Sequence, residues 1–272
     1  MGSLLKSVAL AAGLGLVALQ PTQALADPLQ AAVGNEHRSE KNAARDEFRH
    51  PYEVLSFFGV SPDMTVVEIW PASGWWTEIL APYLAANGQY YAAHFPDNNF
   101  LPFYKPARKR FSQKLAANPE LYGKVKLTSF FPPEEAEIAP EGSADAVLTF
   151  RNVHNWIRFK FEQQAFEQFY KALKPGGVLG VVEHRAKPGT SVEQMDKTGY
   201  VTEEYTKQLA KNAGFIFEES SEVNANPADT KDHPKGVWTL PPTNALKDQD
   251  REKYQAIGES DRFVLRFRKP KE

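Results

Sequence analysis

The chain has 272 residues, with 32 Lys and Arg against 34 Asp and Glu, 42% hydrophobic residues and no cysteine. That composition fits a folded protein of one domain or two small ones and excludes disordered and collagen-like chains. A formal charge of −2 offers no cationic footprint for a phosphate backbone, so nucleic acid is not an expected partner. Without cysteine there are no disulfides, thiolate zinc sites or thiol nucleophiles, and any metal must rest on His, Asp or Glu.

The first 26 residues read as a secretory signal. Lys6 supplies a short positive start, Val8 to Leu19 an apolar run, and Ala24-Leu25-Ala26 a small-x-small cleavage site before Asp27. A retained membrane anchor is the rival reading. The apolar run is shorter than the roughly 18 to 20 residues a bilayer requires, and Gln20, Pro21, Thr22 and Gln23 close it. The expectation is a periplasmic mature protein with no membrane partner after cleavage.

Residues 27–61 read as an N-terminal helical arm. Arg38, Lys41, Arg45, Asp46, Arg49 and His50 precede the apolar Leu55, Phe57 and Phe58, and most of these charges are expected on a solvated face. From Pro62 onward strands and helices alternate in a domain covering 62–272. Thr65 to Ile69 is a β-branched strand, and Trp75 to Ala86 has helical spacing, ended by Asn87-Gly88. Gln89 to His94 is a second strand, Pro96 to Tyr122 an irregular or helical section, and Val125 to Phe130 a third strand. Ala144 to Phe150 is the fourth.

Phe159 to Leu173 carries Phe161, Ala165, Phe166, Phe169 and Leu173 on one face, a helix expected to stop at Lys174-Pro175-Gly176-Gly177. Val178 to Glu183 is nearly all apolar, as a central parallel strand covered on both faces should be. Thr202 to Ala213 is a helix, and Phe215 to Val223 and Arg262 to Phe267 are the last strands. A polar insertion at about 224–259 separates them; it reads as a solvated loop or, more sharply, as a lid over the cleft. The alternation predicts a doubly wound α/β fold.

In such sheets ligands bind outside the carboxyl ends of the strands, near the switch in strand order. The turn after the first strand reads Glu68-Ile69-Trp70-Pro71-Ala72-Ser73-Gly74-Trp75-Trp76-Thr77. Together with Asp145 to Phe150 and Leu173-Lys174-Pro175-Gly176-Gly177-Val178-Leu179, it resembles the class I S-adenosylmethionine-dependent methyltransferases, in particular an exported bacterial branch of predicted methyltransferases. The resemblance spans roughly Pro62 to Phe267 in element order. It implies a Rossmann-like seven-stranded sheet, mostly parallel with an antiparallel last strand, helices on both faces, and S-adenosylmethionine as cofactor for methyl transfer to a small-molecule acceptor.

Laid on this chain, the family's strand-one acid is Glu68, and its three alternate glycines fall on Trp70, Ala72 and Gly74, of which only Gly74 is glycine. Close backbone approach then implies that Trp70 points away and Ala72 fits a tighter space. Pro71, Ala72, Ser73 and Gly74 are the implied cofactor turn. The ribose-binding acid position is His94, with Asp97 three residues on as a substitute. Phe130 and Phe131 offer an apolar face for adenine.

A second pattern is independent of the family. His94, His154 and His184 each follow a predicted strand at its carboxyl end, which gathers them on one rim with Arg151, Asn152, Asn155, Glu183 and Arg185. Imidazole near neutrality can take a proton from an attacking acceptor. His154 is the first candidate base, followed by Glu183 and His184, and Arg151 or Arg185 could hold an anionic acceptor. Two rival readings use the same residues: a metal-assisted enzyme built on His94, His154, His184 and a carboxylate, and a non-catalytic binding protein on a degenerate fold.

Overall fold

The computed structural model describes residues 2, 27–97 and 104–272. The expected signal segment, apart from Gly2, lies outside the described residues. Four short helices come first: α1 (Pro28–Val33), α2 (Glu40–Ala43), α3 (Asp46–Arg49) and α4 (Pro51–Phe58). Asp27 caps α1 by accepting the Leu29 N–H, and prolines open α1 and α4, where a missing N–H does no harm. Two of the charges expected in solvent are instead buried. Arg38 and Arg49 are 6% and 3% exposed; Arg38 binds Asp46 through two hydrogen bonds, Arg49 reaches Glu259, and both guanidiniums lie over the Trp75 ring.

The α/β part runs β1 (Thr65–Ile69), α5 (Thr77–Leu84), β2 (Gln89–His94), α6 (Lys105–Ala117), α7 (Pro119–Tyr122), β3 (Lys126–Ser129) and β4 (Ala144–Phe150). It continues with α8 (Val153–Phe159), α9 (Glu162–Ala172), β5 (Leu173–His184), α10 (Val192–Thr198), α11 (Glu203–Asn212) and β6 (Ile216–Ser221). Then come β7 (Pro234–Val237), α12 (Arg251–Ile257) and β8 (Arg262–Arg268). Seven strands form one sheet in the order β3-β2-β1-β4-β5-β8-β6. β1 to β5 pair in parallel, and β8 enters antiparallel between β5 and β6. The order reverses between β1 and β4, and this switch point places the cleft.

The uniform burial of Val178 to His184 follows from cover on both faces. Leu179 and Val181 pack into one apolar cluster with Phe166 and Phe169 of α9, whereas Val178 and Val182 join a second with Leu55, Phe58 and Ile79. Gly180 lies between them for a steric reason, because a Cβ there would stand 2.8 Å from both Phe58 and Leu148.

Three element boundaries differ from expectation. Residues 153–172 form two helices instead of one beginning at Phe159, because Lys160 turns left-handed (φ 58°) and ends α8. The Lys174 to Gly177 segment belongs to β5 and does not form a stop outside it; Leu173 already pairs with Ala144, and a register shift follows. The 224–259 insertion is not a solvated loop. It contains β7 and α12, and its buried Asp229 accepts hydrogen bonds from Tyr200 Oη, His233 Nε2 and the Lys231 and Asp261 N–H groups. Among the described residues, no helix is long and apolar enough to cross a membrane.

Candidate active site at the switch point

A cavity of about 270 Å³ lies at the carboxyl ends of β1, β4 and β5. One part of its wall is Glu68 with Trp70, Pro71, Ala72 and Ser73; another is Arg151, Asn152 and His154, with His184 and Ser260. Arg45 and Arg49 reach it from the N-terminal helices. Val237, Trp238 and Pro241 to Thr243 reach it from the insertion, which therefore covers the cleft.

The turn after β1 keeps a glycine-type backbone without glycine side chains. Trp70, Ala72 and Gly74 all have positive φ, at 50°, 52° and 80°, although the first two carry a Cβ that disfavours this region. Surrounding bonds hold the turn in place. His94 Nε2–H donates to the Ala72 carbonyl at 2.9 Å, and Asn152 Nδ2–H donates to Ile69 O at 2.9 Å. Lys114 donates to the Ser73 and Gly74 carbonyls. As expected for close backbone approach, the Trp70 side chain leaves the turn: its Nε1–H donates to Phe130 O and its ring packs on Phe95 and Trp156.

Gly74 itself does not line the cavity, and a Cβ there would meet Phe111 at 3.0 Å and Thr77 at 3.3 Å. Its glycine therefore serves the positive φ and the packing of α6. Glu68 is fully enclosed and accepts from Tyr90 Oη, with Thr77 Oγ1 nearby. Burial pushes its carboxyl up to about 7, against the opposing pull of those hydroxyls.

His154, Glu183 and His184 converge. Glu183, at 0% exposure, accepts His154 Nδ1–H at 3.1 Å, the His154 backbone N–H at 3.3 Å and the His184 N–H at 2.8 Å. These bonds orient the imidazole and leave Nε2 as its lone-pair nitrogen in the neutral form. The His154 and His184 ring centroids are 5.4 Å apart. Both residues are mostly enclosed, at 6% and 8% exposure, but line the cavity. His184 Nδ1 bonds Ser260 Oγ, and burial together with the nearby His154 and arginines pushes its pKa well down. Donor atoms of His154, Glu183 and His184 all lie within 4.8 Å of one another, close enough to be considered as ligands for a metal ion.

The third histidine does not join them. His94 is fully buried with both ring nitrogens engaged, Nδ1 accepting the Phe95 N–H at 2.7 Å and Nε2–H donating to Ala72. Burial pushes its pKa down to about 4. It is a latch on the first turn, with no donor atom left for ribose or a metal. Asp97 is exposed and lies outside the cavity wall. Phe130 is sealed in the core, and Phe131 lines a separate shallow hollow with Pro132 and Phe159. Arg185 is taken by Glu222 at 2.6 Å and Glu203 at 3.5 Å, also away from the cavity.

Sequence reasoning missed Arg45, Arg49, Glu259, Ser260 and Trp238. Arg45 and Arg49 are four residues apart, which places them on one side of a helical segment, but that spacing equally describes a solvated stripe. Glu259 receives Arg45 at 2.6 Å, Arg49 at 3.3 Å and Arg262 at 2.9 Å. Burial opposes its ionisation, but these three and Arg151 together overcome that opposition and hold its carboxyl down at about 2.

The sheet order and the cleft at its switch point define a Rossmann-like fold of the class I methyltransferase type. No protein-family model and no curated protein matches the sequence. Solved structures do resemble it in shape. A SAM-dependent methyltransferase from Aquifex aeolicus has a TM-score of 0.55 and 14% identity over 89% of this chain and 98% of that one. The [4+2]-cyclase SpnF scores 0.55 at 16% identity, covering 89% of this chain and 92% of its own. An arsenic(III) S-adenosylmethionine methyltransferase from Chlamydomonas reinhardtii scores 0.50 at 14% identity, covering 91% of this chain and 74% of its own. Identities this low establish the fold, and the presence of a cyclase among the similar structures shows that shape alone does not select the reaction.

Proposed function

We propose that the protein transfers a methyl group from S-adenosylmethionine to a small-molecule acceptor, with His154 as general base and Glu183 as its positioning partner. The observation that carries this reading is the turn of positive φ at Trp70, Ala72 and Gly74, on a cavity shared with a carboxylate-oriented imidazole. The turn suits the donor's amino-acid end, since Pro71, Ala72 and Ser73 line the cavity. At the ribose position the expected acid is absent, and His94 cannot replace it because both its nitrogens are engaged.

When bound, the cofactor supplies a sulfonium-activated methyl group whose S–C bond breaks as the acceptor–C bond forms, the electron pair remaining on sulfur. The protein's task is then alignment and proton removal. His154 Nε2 takes the acceptor's proton while Glu183 holds Nδ1–H and stabilises the resulting imidazolium. Asn152 ties the end of β1 to the start of α8 and so fixes the distance between the turn and the base. Trp238, 5.9 Å from the His154 ring, lines the cleft from the insertion and shields the base on that side. The N-terminal signal pattern supports a periplasmic site of action, which requires the donor to be present outside the cytosol.

Calorimetry with S-adenosylhomocysteine tests the reading: the protein binds it, and His154→Ala leaves that affinity nearly unchanged while lowering methyl transfer by roughly 10² to 10⁴. Absence of nucleoside binding by the folded protein would sink the proposal. The close grouping of His154, Glu183 and His184 favours one other reading, a divalent metal site; under it, titration with Zn²⁺ or Mn²⁺ would give saturable binding that His154→Ala abolishes.

A further inference from the structure

Three guanidiniums converge on a single carboxylate beside the cavity, and a fourth, Arg151, stands on the cavity wall near them. Arg45, Arg49 and Arg262 pair with Glu259. The Arg151 guanidinium has no hydrogen-bond or ion-pair partner among the described residues, and its backbone N–H is taken by Val182 O. Nη2 of Arg49 is likewise enclosed without a hydrogen-bond partner. Arg49 and Arg151 both line the cavity that His154 lines.

Charge counting sets the sign of the missing partner. Glu259 offsets one of the four positive charges, and Glu68 on the same cavity wall, pushed up to about 7, offsets only part of another at neutral pH. The Glu183 oxygens already accept from His154 and two backbone N–H groups. A half-buried excess of positive charge with unmatched guanidinium donors is unfavourable until an anion arrives. The same field opposes a divalent cation on His154, Glu183 and His184.

Resting on the methyl-transfer reading above, we infer that the acceptor carries a carboxylate or phosphate, and that Arg49 and Arg151 seat this group beside the His154–Glu183 pair. Arg151 directly follows β4, three residues before His154, and both line one cavity, so a ligand held by its fork lies on the same cavity wall as the base. Planar guanidinium forks suit either anion.

Thermal unfolding with inorganic phosphate and with malonate tests the seat. Both anions raise the melting temperature of the wild-type protein. In Arg151→Gln the concentration needed rises roughly ten- to a hundredfold, while the anion-free melting temperature is unchanged or higher, because no side-chain hydrogen bond or ion pair is lost and a half-buried like charge is removed. Arg151→Lys keeps the charge without the fork and falls between the two. A wild-type protein indifferent to both anions overturns the inference. So does an Arg151→Gln variant that melts lower without anion and responds to it normally, since the residue would then be structural.

Calorimetry with S-adenosylhomocysteine and 5′-methylthioadenosine, which lacks the amino-acid portion, distinguishes the source of the anion. Arg151→Gln is expected to leave both affinities unchanged. Weakening of the first alone would assign the seat to the cofactor's carboxylate and overturn the acceptor assignment. Failure of the wild type to bind either nucleoside, with the anion response intact, would reject the methyl-transfer reading and leave the anion seat supported.

Discussion

Two carboxylates line the same cavity and hold protons with opposite strength. Glu68, on β1, is surrounded by hydroxyls and apolar side chains, and burial pushes it up to about 7. Glu259, at the close of the insertion, is nearly as enclosed but faces arginines that hold it at about 2. Burial alone would raise both; the neighbours decide the outcome. One wall of the cleft is thus an acid that is only partly ionised at neutral pH, and the other is a fixed ion cluster with excess positive charge. A pair of acids whose environments drive them apart in this way is typical of sites that hold or move charge.

The contrast is broken most severely at Glu259. Replacing it with Gln leaves the buried Arg49 and Arg262 and the half-buried Arg45 without the negative charge they share. Such a change is expected to cost about 3 to 5 kcal/mol in urea unfolding at pH 7. A loss below about 1 kcal/mol would mean that water already solvates the cluster.

Acid titration separates the two kinds of buried group. His94 has a folded pKa of about 4 against an ordinary 6.5. The folded state therefore resists a proton that the unfolded chain accepts, and stability present above pH 6.5 is lost as the pH falls toward 4, by about 3 kcal/mol. Glu259 adds a further loss as pH falls from 4.5 to about 2, again about 3 kcal/mol, because its depressed carboxyl must be protonated. His94→Gln should flatten the upper limb and preserve the lower one. Retention of the full upper limb in that variant would assign it to another group.

Glu68 gives the smallest effect and the reverse sign. Its raised carboxyl contributes stability below pH 4.5 that is lost as pH rises through about 7. Glu68→Gln removes the buried charge and should stabilise the protein by about 1 to 2 kcal/mol at pH 8, with little change at pH 5. Equal effects at the two pH values would show that Glu68 is not ionising in the folded state.

Legibility differed from residue to residue. The histidines that the sequence pattern gathered on one rim came from element order, which is sound to the level of a strand end. His154 follows β4, His184 ends the adjacent β5, and the two meet. His94 ends β2, but its ring turns back onto Ala72, a partner 22 residues away. Nothing in its local pattern signals that rotation. The arginines failed for a related reason: four-residue spacing describes a helix face without saying whether water or protein covers it. Trp70 and Ala72 show the converse case, since their non-glycine identities obscured a backbone that keeps glycine geometry.

What the sequence by itself determined was the succession of strands and helices, and with it the cleft at the switch between β1 and β4. Hydrophobic periodicity and turn residues act over a few neighbours and are written locally. What only the tertiary structure decided was the electrostatic character of that cleft. Arg45 and Glu259 are 214 residues apart along the chain, and their meeting depends on the N-terminal helices and the insertion closing over the same strand ends. Charge pairing in a low-dielectric enclosure is set by which groups arrive there together, a property of the assembled fold and of no segment alone.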